Sequence, residues 1–147
     1  PALLAVSFAH AFCTGEERWA LWSGLLRDKP LLGPWLEGGD FNVVVEAGEK
    51  KGTLPFHLSE ALDFLDFMST VELFDAEFSG SSYTWCNNHF GRARIWKRLD
   101  WLLINNSCFD ASLVLYVSHL ARDPSDHSPL LLSVITRVEG SLDLFDL

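Results

Sequence analysis

The stretch Pro34-Trp35-Leu36-Glu37-Gly38-Gly39-Asp40-Phe41-Asn42-Val43-Val44-Val45 decides how the chain is read. It has the pattern of a strand that stops at a special turn. Trp35 and Leu36 are apolar, and two glycines release the backbone where a side chain would obstruct. Asp40 and Asn42 follow. Alternate residues of extended chain share a face, so the two are expected to project together while Phe41 turns into the core. A carboxylate beside a carboxamide can hold a metal-bound water and a phosphoryl oxygen. Gly, Asp and Asn are equally ordinary turn residues, and the local pattern leaves both readings open.

Working outward, residues 3–9 read as a buried strand. Thr14-Gly15-Glu16-Glu17 has the form of a capping box, with Thr14 as N-cap. The helix it opens runs to about Lys29, with Trp19, Trp22 and Leu26 on one face and Leu25 alongside. With the strand at Trp35 this makes a strand–helix–strand unit of α/β type. A polar loop over 47–55 carries Glu49, Lys50 and Lys51, just after Glu46. A second helix is expected over 58–71, its apolar stripe Leu58, Leu62, Leu65 and Met68, with Glu60, Asp63 and Asp66 toward water. Residues 73–76, 83–86, 98–104, 114–117 and 129–135 read as strands. A Gly/Ser loop covers 79–82, and 123–128 is a turn. Residues 1–136 are assigned to one domain and 137–147 to a loosely held tail.

Composition narrows the class. The 147 residues suit one domain. At 48% hydrophobic and 21% charged the chain is globular rather than disordered. Six Trp and eleven Phe predict a large aromatic core. There is no apolar run of about 18 residues, so no membrane partner is expected. Cys13, Cys86 and Cys108 are odd in number and widely spaced, which favours neither a disulfide framework nor a zinc site. That usage suits a reducing, intracellular compartment. A net charge of −9 argues against strong nonspecific nucleic-acid binding. A local basic patch on an acidic body remains compatible with a nuclease.

Three further groups carry candidate chemistry. Ser125-Asp126-His127-Ser128 ends a loop directly before a strand, and an acid beside an imidazole can serve metal and phosphate together, with His127 stabilising a phosphoryl oxygen or assisting proton transfer. Asp100 lies between Leu99 and Trp101 in an apolar strand, where a buried carboxylate needs a partner such as the ring N–H of a catalytic His. The alternatives are a structural Asp-His turn and an Asp100 on a wet strand face. Arg92, Arg94, Lys97 and Arg98 adjoin Trp85, and cations beside an aromatic suit a nucleic-acid strand. A solvated hairpin has the same composition. Glu46 and Glu49 read as solvated, and His10, His57, His89 and His119 as structural or exposed.

Taken in order, Gly39-Asp40-Phe41-Asn42, Tyr83-Thr84-Trp85, Arg98-Leu99-Asp100-Trp101 and Ser125-Asp126-His127 resemble the endonuclease/exonuclease/phosphatase family. The longer strings Pro34 to Asn42 and Ala93 to Asp100 look most like the branch fused to reverse transcriptases in plant-type non-LTR retrotransposons. The resemblance implies a four-layered α/β sandwich, two packed β-sheets flanked by helices, with the site at one end. It implies that Asp40 activates water, Asn42 contacts the scissile phosphate, Asp126 helps hold the metal, and His127 contacts the phosphate with Asp100 orienting its ring. It further implies a Mg²⁺ cofactor, or Mn²⁺ in its place, and DNA as partner, touched by Trp85, Arg92, Arg94, Lys97 and Arg98. The expected activity is hydrolysis that leaves a nick.

Two departures matter. The family's first half supplies an Asn and the principal metal-binding Glu, and no counterpart precedes Pro1. A position that commonly carries an aromatic hydroxyl holds His10. The chain is therefore expected to be the C-terminal part of such a domain, inactive alone, with the N-terminal half and a fused reverse transcriptase as its missing partners. The alternatives are a non-catalytic retroelement remnant and a phosphatase of small phosphorylated lipids or inositols.

Overall fold

Residues Trp35–Asp40 do form a strand, and its neighbours explain why it ends where it does. The computed structural model describes residues 3–52, 54–138 and 141–146. Its first elements are β1 (Ala5–His10), α1 (Gly15–Asp28), β2 (Trp35–Asp40) and the short β3 (Lys50–Lys51). Then come α2 (Leu62–Val71), β4 (Phe74–Asp75), β5 (Phe78–Gly80), β6 (Trp85–Cys86), β7 (Trp96–Lys97) and β8 (Asp100–Ile104). The chain continues with α3 (Ser107–Asp110), β9 (Leu113–His119), β10 (Leu130–Val138) and β11 (Ser141–Asp146). The first sheet has the order β1-β2-β8-β4, the second β11-β10-β9-β5, and a small third sheet β3-β7-β6.

Two cores make this an α/β sandwich. Trp35, Trp101 and Leu103 on one face of the first sheet meet Trp22 of α1 and Phe64, Phe67 and Val71 of α2. Trp22 and Phe67 stack with ring centroids 4.6 Å apart, and Phe64 meets Trp101 edge-on at 5.4 Å. Leu36, Leu102 and Ile104 on the opposite face pack against Leu113, Val117, Leu132 and Val134 of the second sheet. Alternation along β2 and β8 thus feeds a helical layer on one side and a second sheet on the other.

Helix α1 starts as read: Thr14 is the N-cap and its hydroxyl accepts from the Glu17 N–H at 3.3 Å. Its buried face differs. Trp19 and Leu26 are exposed, while Arg18 and Trp22 are buried. The cause is a polar contact that hydrophobic spacing does not register. Arg18 donates through Nε and Nη2 to both Asp63 oxygens, at 2.9 and 2.7 Å, and Trp22 Nε1 donates to Asp63 at 2.7 Å. Asp63 therefore does not face water. Burial alone would raise its carboxyl, but Arg18 and Trp22 together hold it below the usual range. The same contact rotates α2, so Phe64, Phe67 and Val71 form its buried stripe while Leu58 and Leu62 are exposed.

Of the two glycines in the opening stretch, Gly39 is the one required by the backbone. Its φ is +142°, and a Cβ there would lie 1.9 Å from the Ala9 carbonyl oxygen. Within the stretch assigned to a tail, residues 137–138 end β10 and Ser141–Asp146 form β11, which pairs antiparallel with it.

Strand β1, read as buried, is an edge strand whose only described ladder is the parallel one to β2. Its burial alternates, and Phe8 is 76% exposed. An open edge beside an exposed apolar ring invites pairing with another chain. Self-association is therefore expected, and Phe8→Lys should reduce it in sedimentation-velocity measurements. A wild-type chain that stays monomeric at high concentration would contradict this.

Candidate active site

The site begins with strand register. Antiparallel pairing of β2 with β8 sets Asp40 directly opposite Asp100, and parallel pairing of β1 with β2 sets His10 beside Asp40. Three polar residues thus share the end of the first sheet. Like charges placed opposite each other destabilise a sheet, so this arrangement calls for a cation.

His127 comes to that end from the loop before β10. Its Nδ1 lies 2.9 Å from Asp100 Oδ2, inside the 2.6–3.2 Å expected of an imidazole oriented by an acid. Its Nε2 lies 3.8 Å from Asp40 Oδ2. With Nδ1–H donating to Asp100, Nε2 faces Asp40 and the opening. His10 Nδ1 stands 4.0 Å from the same Asp40 oxygen, on a largely exposed side chain, so it belongs to the rim of the site.

Asp40 is held by Asn42, though not through extended chain. Asn42 has φ +53°, and its backbone N–H donates to Asp40 Oδ1 at 2.9 Å, closing an Asx turn. Its side-chain amide donates to the Ala11 carbonyl at 2.8 Å and approaches Asp40 Oδ2 at 3.4 Å. The two residues are neighbours as expected, but a turn brings them together, and the Asn42 amide is engaged within the protein. Burial holds the Asp40 carboxyl above the ordinary Asp range; the Asn42 N–H opposes this, and the Asp100 charge adds to it.

Asp100 is fixed from behind by Thr84. That buried hydroxyl accepts from the backbone N–H groups of both Leu99 and Asp100 at 3.0 Å. The only sequence signal for it was its place between two aromatics in the Tyr83-Thr84-Trp85 string.

The remaining site expectations divide. Asp126 lies outside the cluster formed by Asp40, Asp100 and His127, whose ligand atoms are all within 4.8 Å of one another. Its carboxylate instead accepts from Trp85 Nε1 at 3.3 Å. Trp85 and Lys97 do adjoin the site. Trp85 forms a β-bridge with His127, and Lys97 Nζ sits 5.7 Å from the Trp85 ring centroid. Arg92 is exposed on the loop between β6 and β7, and Arg94 is held against the Phe90 and Trp96 rings.

Arg98, expected to touch the nucleic-acid strand, is turned into the protein. It is 4% exposed, binds both Asp75 oxygens at 2.8 and 2.6 Å and Glu49 at 3.1 Å, and lies over the Trp101 ring. Glu49, read as solvated, is its buried partner. Arg122, which the sequence did not single out, lies over the Trp96 ring at 5.2 Å. His57 and His89 are exposed; His119 is buried, stacked on Phe78 and hydrogen-bonded to the Ser81 carbonyl at 2.7 Å.

The donor set fits a hard divalent cation. Mg²⁺ is commonly held by one or two carboxylates together with water and phosphate oxygens. Asp40 and Asp100, paired and half-buried, supply the carboxylates. Asp100 Oδ2 receives His127, and Asp40 receives the Asn42 N–H and side-chain amide, so each carboxylate is already partly engaged. No glutamate joins the cluster among the described residues.

No family model matches the chain, and no curated protein matches it. Among solved structures it is similar to a 3'-5' exonuclease (NExo) from Neisseria Meningitidis. The TM-score is 0.58 at 21% sequence identity, over 78% of this chain and 50% of that one. At that identity the likeness is one of fold. The chain spans half the length of that neighbour.

Two outcomes are expected. Thr84→Val leaves two buried N–H groups without an acceptor at about 1–3 kcal/mol each, so it should lower unfolding free energy by about 2–6 kcal/mol. Thr84→Ser should recover most of that in urea titrations. The second concerns Asp40. Its folded-state carboxyl is raised above the unfolded value of about 3.9, so the folded state binds the proton more tightly. Stability then falls as pH rises through that window, and the loss persists at neutral pH. Asp40→Asn should be more stable than wild type at pH 7, and the difference should disappear below about pH 4. Urea midpoints measured across pH check this.

Proposed function

We propose that this chain is part of a Mg²⁺-dependent phosphodiesterase, a DNA-nicking endonuclease domain of a retroelement. The observation that carries the reading is the 2.9 Å contact of His127 with Asp100 while the other ring nitrogen faces Asp40. A base, a carboxylate and an orienting acid from three distant sequence positions meet at one sheet end, on the fold of a nuclease. The retroelement assignment rests on the strings Pro34 to Asn42 and Ala93 to Asp100. DNA is favoured over a small phosphorylated lipid or inositol because Trp85 and Lys97 border His127.

In this mechanism Asp40 accepts the proton of the attacking water. Asn42 holds Asp40 in place through its N–H and side-chain amide. Asp100 accepts from His127 Nδ1–H, and with a proton on Nε2 as well the ring would donate to a phosphoryl oxygen. A divalent ion held by Asp40 and Asp100 would supply charge neutralisation at the phosphoryl oxygens. Two carboxylates and no glutamate give a weak metal set among the described residues, so the chain alone is proposed to be nearly inactive.

Two measurements test this. Purified chain should relax supercoiled plasmid negligibly in Mg²⁺; robust, EDTA-sensitive nicking would overturn the claim of an incomplete metal set. Titrated Mn²⁺ should broaden the His127 imidazole resonances selectively, leaving those of exposed His57 sharp, and Asp40→Asn should abolish the effect. No selective broadening of His127 would sink the metal-dependent reading.

A further inference from the structure

We propose that Lys50 and Lys97 hold consecutive phosphates of one polynucleotide strand as it runs away from His127 across the small third sheet. This rests on the reading of the site as a nuclease centre and adds the path of the strand. Lys50 pairs with Lys97, Lys97 pairs with Trp85, and Trp85 bridges to His127. Residues paired across antiparallel strands share a face. One face therefore carries the row Lys50, Lys97, Trp85, His127, while Lys51, Trp96 and Cys86 turn the other way.

Two lysines directly opposite each other destabilise the sheet that carries them. Among the described residues neither has a carboxylate within ion-pair distance. In a chain of net charge −9 acidic partners are plentiful, so an unneutralised lysine pair at this place suits an anion from outside. The face opens into a cleft of about 350 Å³ that Lys50 and Lys97 line together with Asn42 of the site turn. Thr14, Arg18, Phe56 and Glu60 line it as well, Glu60 being the acidic group among the lining residues. Beside the site, the Trp85 indole offers a ring face next to the Lys97 ammonium, the pairing used to stack a base beside its phosphate.

The row also sets a length. Three strand spacings of about 4.8 Å each separate Lys50 from His127 by roughly 14 Å. A nucleic-acid strand advances about 3.4 Å per nucleotide in B-form, so the row spans about four nucleotides. A phosphomonoester at His127 would not reach Lys50. The ligand class is a polynucleotide strand of at least that length.

The test is fluorescence anisotropy of labelled single-stranded oligonucleotides with the full chain, titrated with NaCl. Lys50→Ala should weaken binding and reduce the slope of log affinity against log salt by about 0.7, one phosphate contact on a single strand. Lys51→Ala removes the same charge one residue away on the opposite face, and should change neither. On a dinucleotide the effect of Lys50→Ala should vanish. Equal effects of the two substitutions, or an undiminished Lys50→Ala effect on the dinucleotide, would overturn the path while leaving the nuclease reading in place. A wild-type chain that binds no oligonucleotide overturns both.

Discussion

Two carboxylates placed side by side by strand pairing are the constraint on which the rest of this structure depends. Asp40 and Asp100 are register partners at the end of the first sheet, and neither can turn away without breaking the ladder between β2 and β8. Partial burial and mutual repulsion make that arrangement costly, and the surroundings manage it. Asn42 donates to one carboxylate and His127 to the other. Thr84 holds the backbone beneath Asp100, so the acid stays where the imidazole needs it. The site is thus a sheet-end repulsion moderated by hydrogen bonds, which leaves it receptive to an added cation.

Two buried arginines carry the load behind it. Arg18 ties α1 to α2 through Asp63, and its remaining donors reach the carbonyls of Cys13, Glu60 and Asn42. The helical layer is thereby coupled to the turn that aims Asp40. Arg98 does the same on the other side, joining the start of β8 to Glu49 and to Asp75 of β4 while lying over Trp101. Removing either arginine would leave its carboxylate partners without a cation, at about 3–5 kcal/mol. Positive charge in this acidic chain is therefore divided by burial. The inner arginines are structural, and the lysines of the small sheet are left to face outward.

Much of this was legible in the sequence. The strand at Trp35, the Thr14 cap, the strand at Asp100 and the turn carrying His127 follow from local rules of periodicity, capping and turn chemistry. Asp100 could be marked because a carboxylate between Leu99 and Trp101 violates the apolar pattern unless it has a partner. The fold class could be expected from ordered motifs, and the sandwich of two sheets beneath a helical layer agrees with it.

Other features depended on which groups meet after folding. Spacing alone put Trp19 and Leu26 inside and Asp63 in water, because periodicity does not see the ion pair by which Arg18 rotates both helices. Arg98 looked like one of a run of surface cations; its burial depends on Glu49 and Asp75, distant in sequence. Asp40 and Asn42 were expected together for a reason that fails, since Asn42 takes a left-handed turn rather than extended chain. The sequence by itself determined the chemistry on offer: two acids, an imidazole, an amide and a local excess of cations. Tertiary structure alone decided which of them meet, because strand register sets Asp40 against Asp100, and burial separates the part-exposed Lys50 and Lys97 from Arg98.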